Sequence, residues 1–122
     1  MRTILIVEDQ QDVQALLGVA LRHPDRRLLS AFNGEQGLAL ARSERPDLIL
    51  LDIMMPGDMD GLTMLRTLRA DPGGGDVKVI VLSARTQQKD IAAAYAAGAD
   101  EYLAKPFRLR ELRETLARHL EG

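Results

Sequence analysis

The 122-residue sequence predicts a doubly wound α/β domain, in which helices cover both faces of a parallel sheet. Two wholly apolar runs, Ile4–Val7 and Leu48–Leu51, are typical of strands that are buried on both faces. After Val7 the hydrophobic period changes from continuous to helical. The chain alternates five predicted strands with five predicted helices, which implies right-handed crossovers and helices on both sides of the sheet.

The first helix carries an apolar stripe at helical spacing and ends near His23-Pro24. The stripe consists of Val13, Leu16, Leu17, Ala20 and Leu21. A weaker strand spans Leu28–Phe32 and is closed by the turn-forming pair Asn33-Gly34. The next helix, around Gly37–Ala41, ends before Pro46, because the residue before a proline is pushed out of the helical region.

Leu48–Leu51 is the third strand, and leucines at helical spacing mark the helix that follows it. These leucines are Leu62, Leu65 and Leu68. Pro72 and the glycine run 73–75 end this helix. Val77–Leu82 has the length and composition of a fourth strand.

The fourth helix is rich in alanine, which favours helix but buries little area, so we expect it to be held weakly. Thr86 is its predicted N-cap, and Gly98 fits the position just after its end. Glu101–Ala104 is the fifth strand. The last helix carries a leucine stripe consisting of Leu109, Leu112, Leu116 and Leu120.

The composition is that of one soluble globular domain, residues 1–122, with 46% hydrophobic and 28% charged residues. A net charge of −2, with two tyrosines, two phenylalanines and no tryptophan, argues against direct nucleic-acid binding. The chain has no cysteine, which fits a reducing cytoplasm. Its N-terminus is neither a signal peptide nor a membrane span, so we expect a cytoplasmic protein without a membrane partner.

Acidic residues directly follow two of the buried strands. Glu8 and Asp9 follow the first strand, and Asp52 follows the third. Carboxyl ends of parallel strands meet at one edge, where two carboxylates ~4 Å apart repel by ~4 kcal/mol at an effective dielectric of 20. A cation is therefore expected among them. Ser83 and Lys105 follow the fourth and fifth strands and complete a set suited to forming an aspartyl phosphate with Mg²⁺.

The ordered motifs resemble the receiver domain of two-component response regulators, of the chemotaxis-regulator-like type. The matching segments are Glu8-Asp9, Asp52-Ile53-Met54-Met55-Pro56-Gly57, Ser83-Ala84 and the run from Gly98 to Phe107. The resemblance covers essentially the whole chain. It implies the flavodoxin-like (βα)5 arrangement, a five-stranded parallel sheet with strand order 2-1-3-4-5.

By this resemblance, Asp52 accepts a phosphoryl group from a sensor histidine kinase or a phosphotransfer protein. Mg²⁺ would be held by Glu8, Asp9, Asp52 and the backbone carbonyl of Met54. Lys105 and Ser83 would contact the phosphoryl group, and Tyr102 would change rotamer as Ser83 moves. The face of the fourth helix, fifth strand and fifth helix would then bind a downstream protein or output domain, and a phosphorylation-dependent homodimer stays open. Lys105-Pro106 should be a cis bond.

Each residue taken alone has a simpler interpretation, since an acid after a strand often caps a helix and a tyrosine at the strand position of Tyr102 is more often a core residue than a switch. An aspartyl phosphohydrolase of the haloacid dehalogenase type would need a second acid where Met54 stands. A nucleotide or flavin binder would need a Gly- or Ser-rich loop in place of the acidic segment 8–12. A receiver fold that binds proteins without phosphorylation remains the alternative, because loop 56–61 has one residue more than the family pattern.

Overall fold

The structure, a computed structural model, describes residues 1–55 and 59–121 and confirms the predicted alternation of strands and helices. The strands are β1 (Arg2–Val7), β2 (Arg26–Ala31), β3 (Leu48–Asp52), β4 (Lys78–Ser83) and β5 (Glu101–Ala104). The helices are α1 (Gln11–Leu21), α2 (Gly34–Glu44), α3 (Gly61–Ala70), α4 (Gln88–Ala97) and α5 (Leu109–Glu121). The strands form one parallel sheet in the order β2-β1-β3-β4-β5, which is the flavodoxin-like arrangement.

Two apolar layers cover the two faces of this sheet. Residues that alternate along a strand enter opposite layers, so Leu5 and Val7 face one way and Ile4 and Ile6 the other. The first layer packs against α2, α3 and α4, and the second packs against α1 and α5. Burial on both sides explains why the central strands are unbroken apolar runs in the sequence.

The strand register brings the functional strand ends to the same edge of the sheet. Val7 pairs with Leu51, Asp52 with Leu82, and Ser83 with Ala104. Residues that immediately follow β1, β3, β4 and β5 are therefore neighbours at the carboxyl edge. The reversal of strand order between β1 and β3 lies at this edge, where open α/β sheets bind ligands.

The predicted apolar stripe of α1 is wrong at one position. Leu16 is 57% exposed, whereas Gln14 is buried. The buried side of the helix follows Gln14, Leu17 and Leu21, which are also spaced at i, i+3 and i+7. A polar side chain occupies the core position because it finds backbone partners there, as described below.

Several predicted element ends also differ from the structure, and β4, for example, runs from Lys78 to Ser83 rather than from Val77 to Leu82. Thr86 is not the N-cap of α4, which is preceded by Gln87 without a side-chain cap. The second strand begins two residues earlier than predicted and ends one residue earlier, which leaves Phe32 outside it, exposed beside α2. The end of α4 is as predicted, since Gly98 terminates the helix with φ of 114°, a conformation that glycine adopts without strain.

The predicted extra residue belongs to the loop 56–61, of which residues 56–58 lie outside the described residues. Lys105-Pro106 is a cis peptide bond, as the resemblance implies. None of the described helices combines the length and the apolar character needed to cross a lipid bilayer.

Candidate functional site

Three carboxylates meet at the carboxyl edge of the sheet. Glu8 and Asp9 follow β1, Asp52 ends β3, and one oxygen from each of the three lies within 4.8 Å of the others. Glu8 and Asp52 are buried, and Asp9 is partly exposed. We refer to these three carboxylates, which the sequence places after two strands, as the acid cluster.

Asp52 lies between a backbone donor and a cation. Its Oδ1 accepts a hydrogen bond from the backbone N–H of Met54 at 2.9 Å. Its Oδ2 lies 3.2 Å from Lys105 Nζ, which is also 3.5 Å from Glu8 Oε2. Lys105 is held in place by its own N–H, which donates to the carbonyl of Ser83 at 2.7 Å. The lysine therefore offsets part of the repulsion between two buried acids.

Glu8 is the acid in this cluster whose charge is least compensated. It is 1% exposed, and both of its carboxylate oxygens are buried without a hydrogen-bond partner among the described residues. Burial raises the pKa of Glu8 to about 7, the neighbouring Asp52 carboxylate adds to the rise, and the Lys105 ammonium opposes it. Buried carboxylate oxygens without partners are expensive unless a cation joins them.

The donor set of the acid cluster fits Mg²⁺. Carboxylate oxygens are the ligands that this ion prefers, and it commonly binds through few of them while it keeps several waters. The oxygens of Glu8 accept no hydrogen bond from a described residue and have Lys105 as their neighbouring cation, so a bound Mg²⁺ would supply the further positive charge that they lack. Met54, whose carbonyl was a predicted ligand, follows Asp52 by two residues, and its side chain is half exposed.

Ser83 and Tyr102 are connected through one residue. The hydroxyl oxygen of Ser83, which is fully buried, accepts a hydrogen bond from the Arg85 N–H at 3.1 Å. The Tyr102 hydroxyl donates to the Arg85 carbonyl at 2.6 Å, while its ring packs at the margin of the first apolar layer. The loop after β4 is thus joined at Arg85 to the end of β4 and to β5.

The start of α3 lies very close to the backbone of Asp52 and Ile53, and a glycine, Gly61, occupies the point of contact. Gly61 opens α3, and a Cβ at this position would lie 2.4 Å from the Cα of Ile53. Asp60 caps the helix, its side chain accepting from the N–H of Thr63 at 2.8 Å. The close approach fixes the backbone that follows Asp52, and only glycine allows it.

Gln14, for which no role was predicted from the sequence, has a buried side chain that contacts the backbone beside the acid cluster. Its Nε2 donates to the carbonyls of Ile6 at 2.8 Å, Ala31 at 2.7 Å and Glu8 at 3.3 Å. The amide therefore ties the ends of β1 and β2 together directly beside the acid cluster. The signal that could have revealed it was its spacing, since Gln14 continues the stripe of Leu17 and Leu21 towards the N-terminus.

The structure brings together all four acidic and basic residues predicted for the site, namely Glu8, Asp9, Asp52 and Lys105. Ser83 ends the neighbouring strand, and Tyr102 contacts the same loop from β5. A doubly wound sheet with three acids and a lysine at the switch in strand order defines a receiver-type regulatory domain. The profile of the family described as response regulator receiver domain matches residues 4–117, and the chain belongs to this family.

Known proteins agree with this assignment. The KDP operon transcriptional regulatory protein KdpE of Escherichia coli (strain K12) is 44% identical over 116 residues, which are 95% of this chain and 50% of KdpE. The chain spans about half the length of the curated relatives that it matches.

Two crystal structures share the fold over nearly the whole chain. The receiver domain of the sensor histidine kinase PA1611 from Pseudomonas aeruginosa PAO1 has a TM-score of 0.89 at 35% identity, covering 99% of this chain and 98% of that one. That structure contains a magnesium ion coordinated in its active site cleft. The chemotaxis protein CheY4 of Vibrio cholerae has a TM-score of 0.89 at 27% identity, covering 97% of this chain and 98% of that one.

Proposed function

We propose that residues 1–122 form one receiver domain, in which Asp52 accepts a phosphoryl group from the phosphohistidine of a sensor histidine kinase or phosphotransfer protein. The observation that carries the proposal is the convergence of Glu8, Asp9 and Asp52 within 4.8 Å, with Lys105 at 3.2 Å from Asp52. A cytoplasmic location is part of the proposal, and the cysteine-free sequence is compatible with it.

The metal of this reaction is Mg²⁺, and its ligands are Glu8, Asp9, Asp52 and the backbone carbonyl of Met54. When bound, the ion supplies positive charge that neutralises the acids and the transferring phosphoryl oxygens. The buried oxygens of Glu8, which accept no hydrogen bond from a described residue, support this assignment, as does the magnesium ion in the PA1611 receiver domain.

In the proposed transfer, a carboxylate oxygen of Asp52 attacks phosphorus and forms an O–P bond as the P–N bond of the phosphohistidine breaks. The electron pair of the broken bond stays on the imidazole of the donor, which leaves with it. Lys105, already beside Asp52 Oδ2, pairs with a phosphoryl oxygen and limits the charge that accumulates. The Ser83 hydroxyl turns towards another phosphoryl oxygen and donates its hydrogen to it, and this turn alters the hydrogen bond that Ser83 Oγ accepts from the Arg85 N–H.

The proposed consequence is a shift of the face formed by α4, β5 and α5. Ser83 and Tyr102 both bond to Arg85, so a turn of the Ser83 hydroxyl changes the loop to which Tyr102 is attached. A population shift of this kind requires a downstream partner that prefers one of the two states. That partner is a protein, an output domain or a second phosphorylated copy. We do not expect nucleic acid to bind this domain directly, in view of its net charge of −2.

The proposal is tested by incubating the chain with acetyl phosphate and Mg²⁺ and measuring its intact mass. We expect addition of one phosphoryl group to the native chain and none to Asp52→Asn. Asp60→Asn is the matched control, because Asp60 is exposed and asparagine also caps helices. If the native chain gains no phosphoryl group, the domain instead acts as a phosphorylation-independent interaction module.

A further inference from the structure

A cavity lies at the opposite edge of the sheet from the acid cluster. It has a volume of about 830 Å³ and lies where β1 and β4 begin and where α2, α3 and α5 end. Pockets for small organic molecules commonly have volumes of about 300 to 1,000 Å³. We refer to it as the amino-edge cavity, after the amino ends of the strands.

The walls of the amino-edge cavity combine an apolar surface with several cations. Leu68, Val77 and Leu120 contribute apolar surface, chiefly through the partly exposed Val77, since Leu68 and Leu120 are 3% and 8% exposed. The charged groups that line the cavity are the cations Arg2, Arg42, Arg45 and Lys78 and the carboxylates Asp47, Asp71 and Asp76. Apolar walls with a few convergent polar groups are typical of sites for small organic ligands.

The cations of the cavity differ in how they are paired. Arg42 binds Asp71, with Nε 2.6 Å from Oδ2, and Arg2 is 3.7 Å from Asp47. Arg45 and Lys78 form no ion pair with any described carboxylate. The cavity therefore presents two cations, Arg45 and Lys78, that form no ion pair among the described residues, against one carboxylate, Asp76, that is likewise without an ion pair there.

Arg45 has an unusual backbone conformation for its residue type. It follows the end of α2 with φ of 46° and is the only residue other than glycine with positive φ in the described part of the chain. Glycine is the common choice after a helix end, because a Cβ is strained in the left-handed region. Strained positions cluster at ligand-binding and functional sites, and here the strain places an arginine at the cavity.

A simpler account is that these cations only compensate the negative ends of α2, α3 and α5. That account explains positive charge near the helix ends, but it does not require a cavity or apolar walls beside the charges. We propose that the amino-edge cavity binds a small organic anion that carries an apolar ring and one acidic group. The ring packs against Leu68, Val77 and Leu120, and the acidic group pairs with Arg45 and Lys78. This proposal does not depend on phosphorylation of Asp52.

The test is a titration of the full chain with two probes of matched shape, followed by two-dimensional amide NMR. Naphthalenesulfonate is the anionic probe, and naphthalenesulfonamide is its neutral counterpart. We expect saturable shifts confined to amides around the cavity, including Asp47, Gly74 and Val77. The neutral probe should bind about tenfold more weakly, since hydrogen bonds to charged groups account for a factor of this size.

Two variants distinguish a specific anion-binding site from a nonspecific attraction of the probe to the positive charges of the protein surface. The double variant Arg45→Gly, Lys78→Gln should bind naphthalenesulfonate about tenfold more weakly and keep its spectrum elsewhere, because glycine suits the left-handed backbone. Arg110→Gln, on the exposed side of α5 and outside the cavity lining, should bind as the native chain does. Equal affinity for the two probes, undiminished binding by the double variant, or an absence of saturable shifts at these amides would each overturn the proposal.

Discussion

The hydroxyl of Tyr102 donates a 2.6 Å hydrogen bond to the carbonyl of Arg85, 17 residues earlier in the chain. The N–H of the same arginine donates to Ser83 Oγ at 3.1 Å. Two side chains on neighbouring strands are therefore attached to opposite ends of one residue. The helix α4 that follows has no side-chain cap at Gln87, and the loop that leads into it is joined to it by the ion pair of the exposed Arg85 with Asp90 at 3.8 Å. The conformation of this loop should accordingly depend on Tyr102.

Replacing Tyr102 by phenylalanine tests this dependence. The ring keeps its packing, so stability should fall by about 1 kcal/mol or less, but amide hydrogen exchange in residues 84–88 should become faster. Tyr95→Phe is the control, because Tyr95 is exposed on α4 and makes no hydrogen bond to a described residue through its hydroxyl. Unchanged exchange in this loop would mean that the Tyr102 bond does not hold it.

Gln14→Ala should destabilise the fold by about 3 kcal/mol, as measured by urea unfolding. The substitution leaves the carbonyls of Ile6 and Ala31 without their side-chain donor in the interior. Gln11→Ala, on the exposed side of the same helix, should change stability by less than about 0.5 kcal/mol. Similar losses for the two variants would contradict a structural role for the buried amide.

The stability of the metal-free domain should fall as the pH rises from about 4.5 to about 7. The folded Glu8 carboxyl has its pKa raised from 4.5 to about 7, so in this window the folded state holds a proton that the unfolded state has released. The loss is about 3 kcal/mol across the window, or less if Mg²⁺ is present. Thermal unfolding in a chelator at several pH values measures it.

Glu8→Gln should remove this pH dependence, because glutamine carries no titrating proton. The free energy of unfolding of the variant, minus that of the native chain, should therefore be larger at pH 8 than at pH 5. Glu114→Gln, at an exposed ion pair on α5, should keep the native slope. If the stability of Glu8→Gln falls with rising pH as steeply as that of the native chain, another titrating group causes the effect.

Arg69→Ala should lower the free energy of unfolding by about 3 kcal/mol, which is visible as a lower Tm. The guanidinium donates to the carbonyls of Gly74 at 2.8 Å, Val77 at 2.7 Å and Gly98 at 2.8 Å, and it pairs with Asp100 at 3.0 Å. It therefore holds the end of α4 against the loop after α3.

Arg66→Ala is the control for this substitution, since Arg66 is exposed on the same helix. It should change stability by less than about 0.5 kcal/mol. Equal effects of the two substitutions would show that loss of helical charge, and not the carbonyl contacts, is responsible.

The strands and the residues at their ends could be read from the linear pattern. Strands buried on both faces must be apolar at every position, so Ile4–Val7 and Leu48–Leu51 stand out from the helices around them. Parallel strands end at a common edge, so acids placed after β1 and β3 have to be neighbours once the order of strands is known. For these reasons Glu8, Asp9, Asp52 and Lys105 were predicted together, and the structure places them together.

Features that depend on single hydrogen bonds between residues far apart in the chain could not be predicted from the sequence pattern. The partners of Gln14 and Arg69 are mostly backbone carbonyls, which every residue possesses, so no side-chain pattern marks them. The predictions of a cap at Thr86 and of a buried Leu16 are wrong because packing and backbone geometry overrule local sequence preference. Periodicity encodes which face of an element is apolar, whereas three-dimensional contact selects the polar groups that the interior can satisfy.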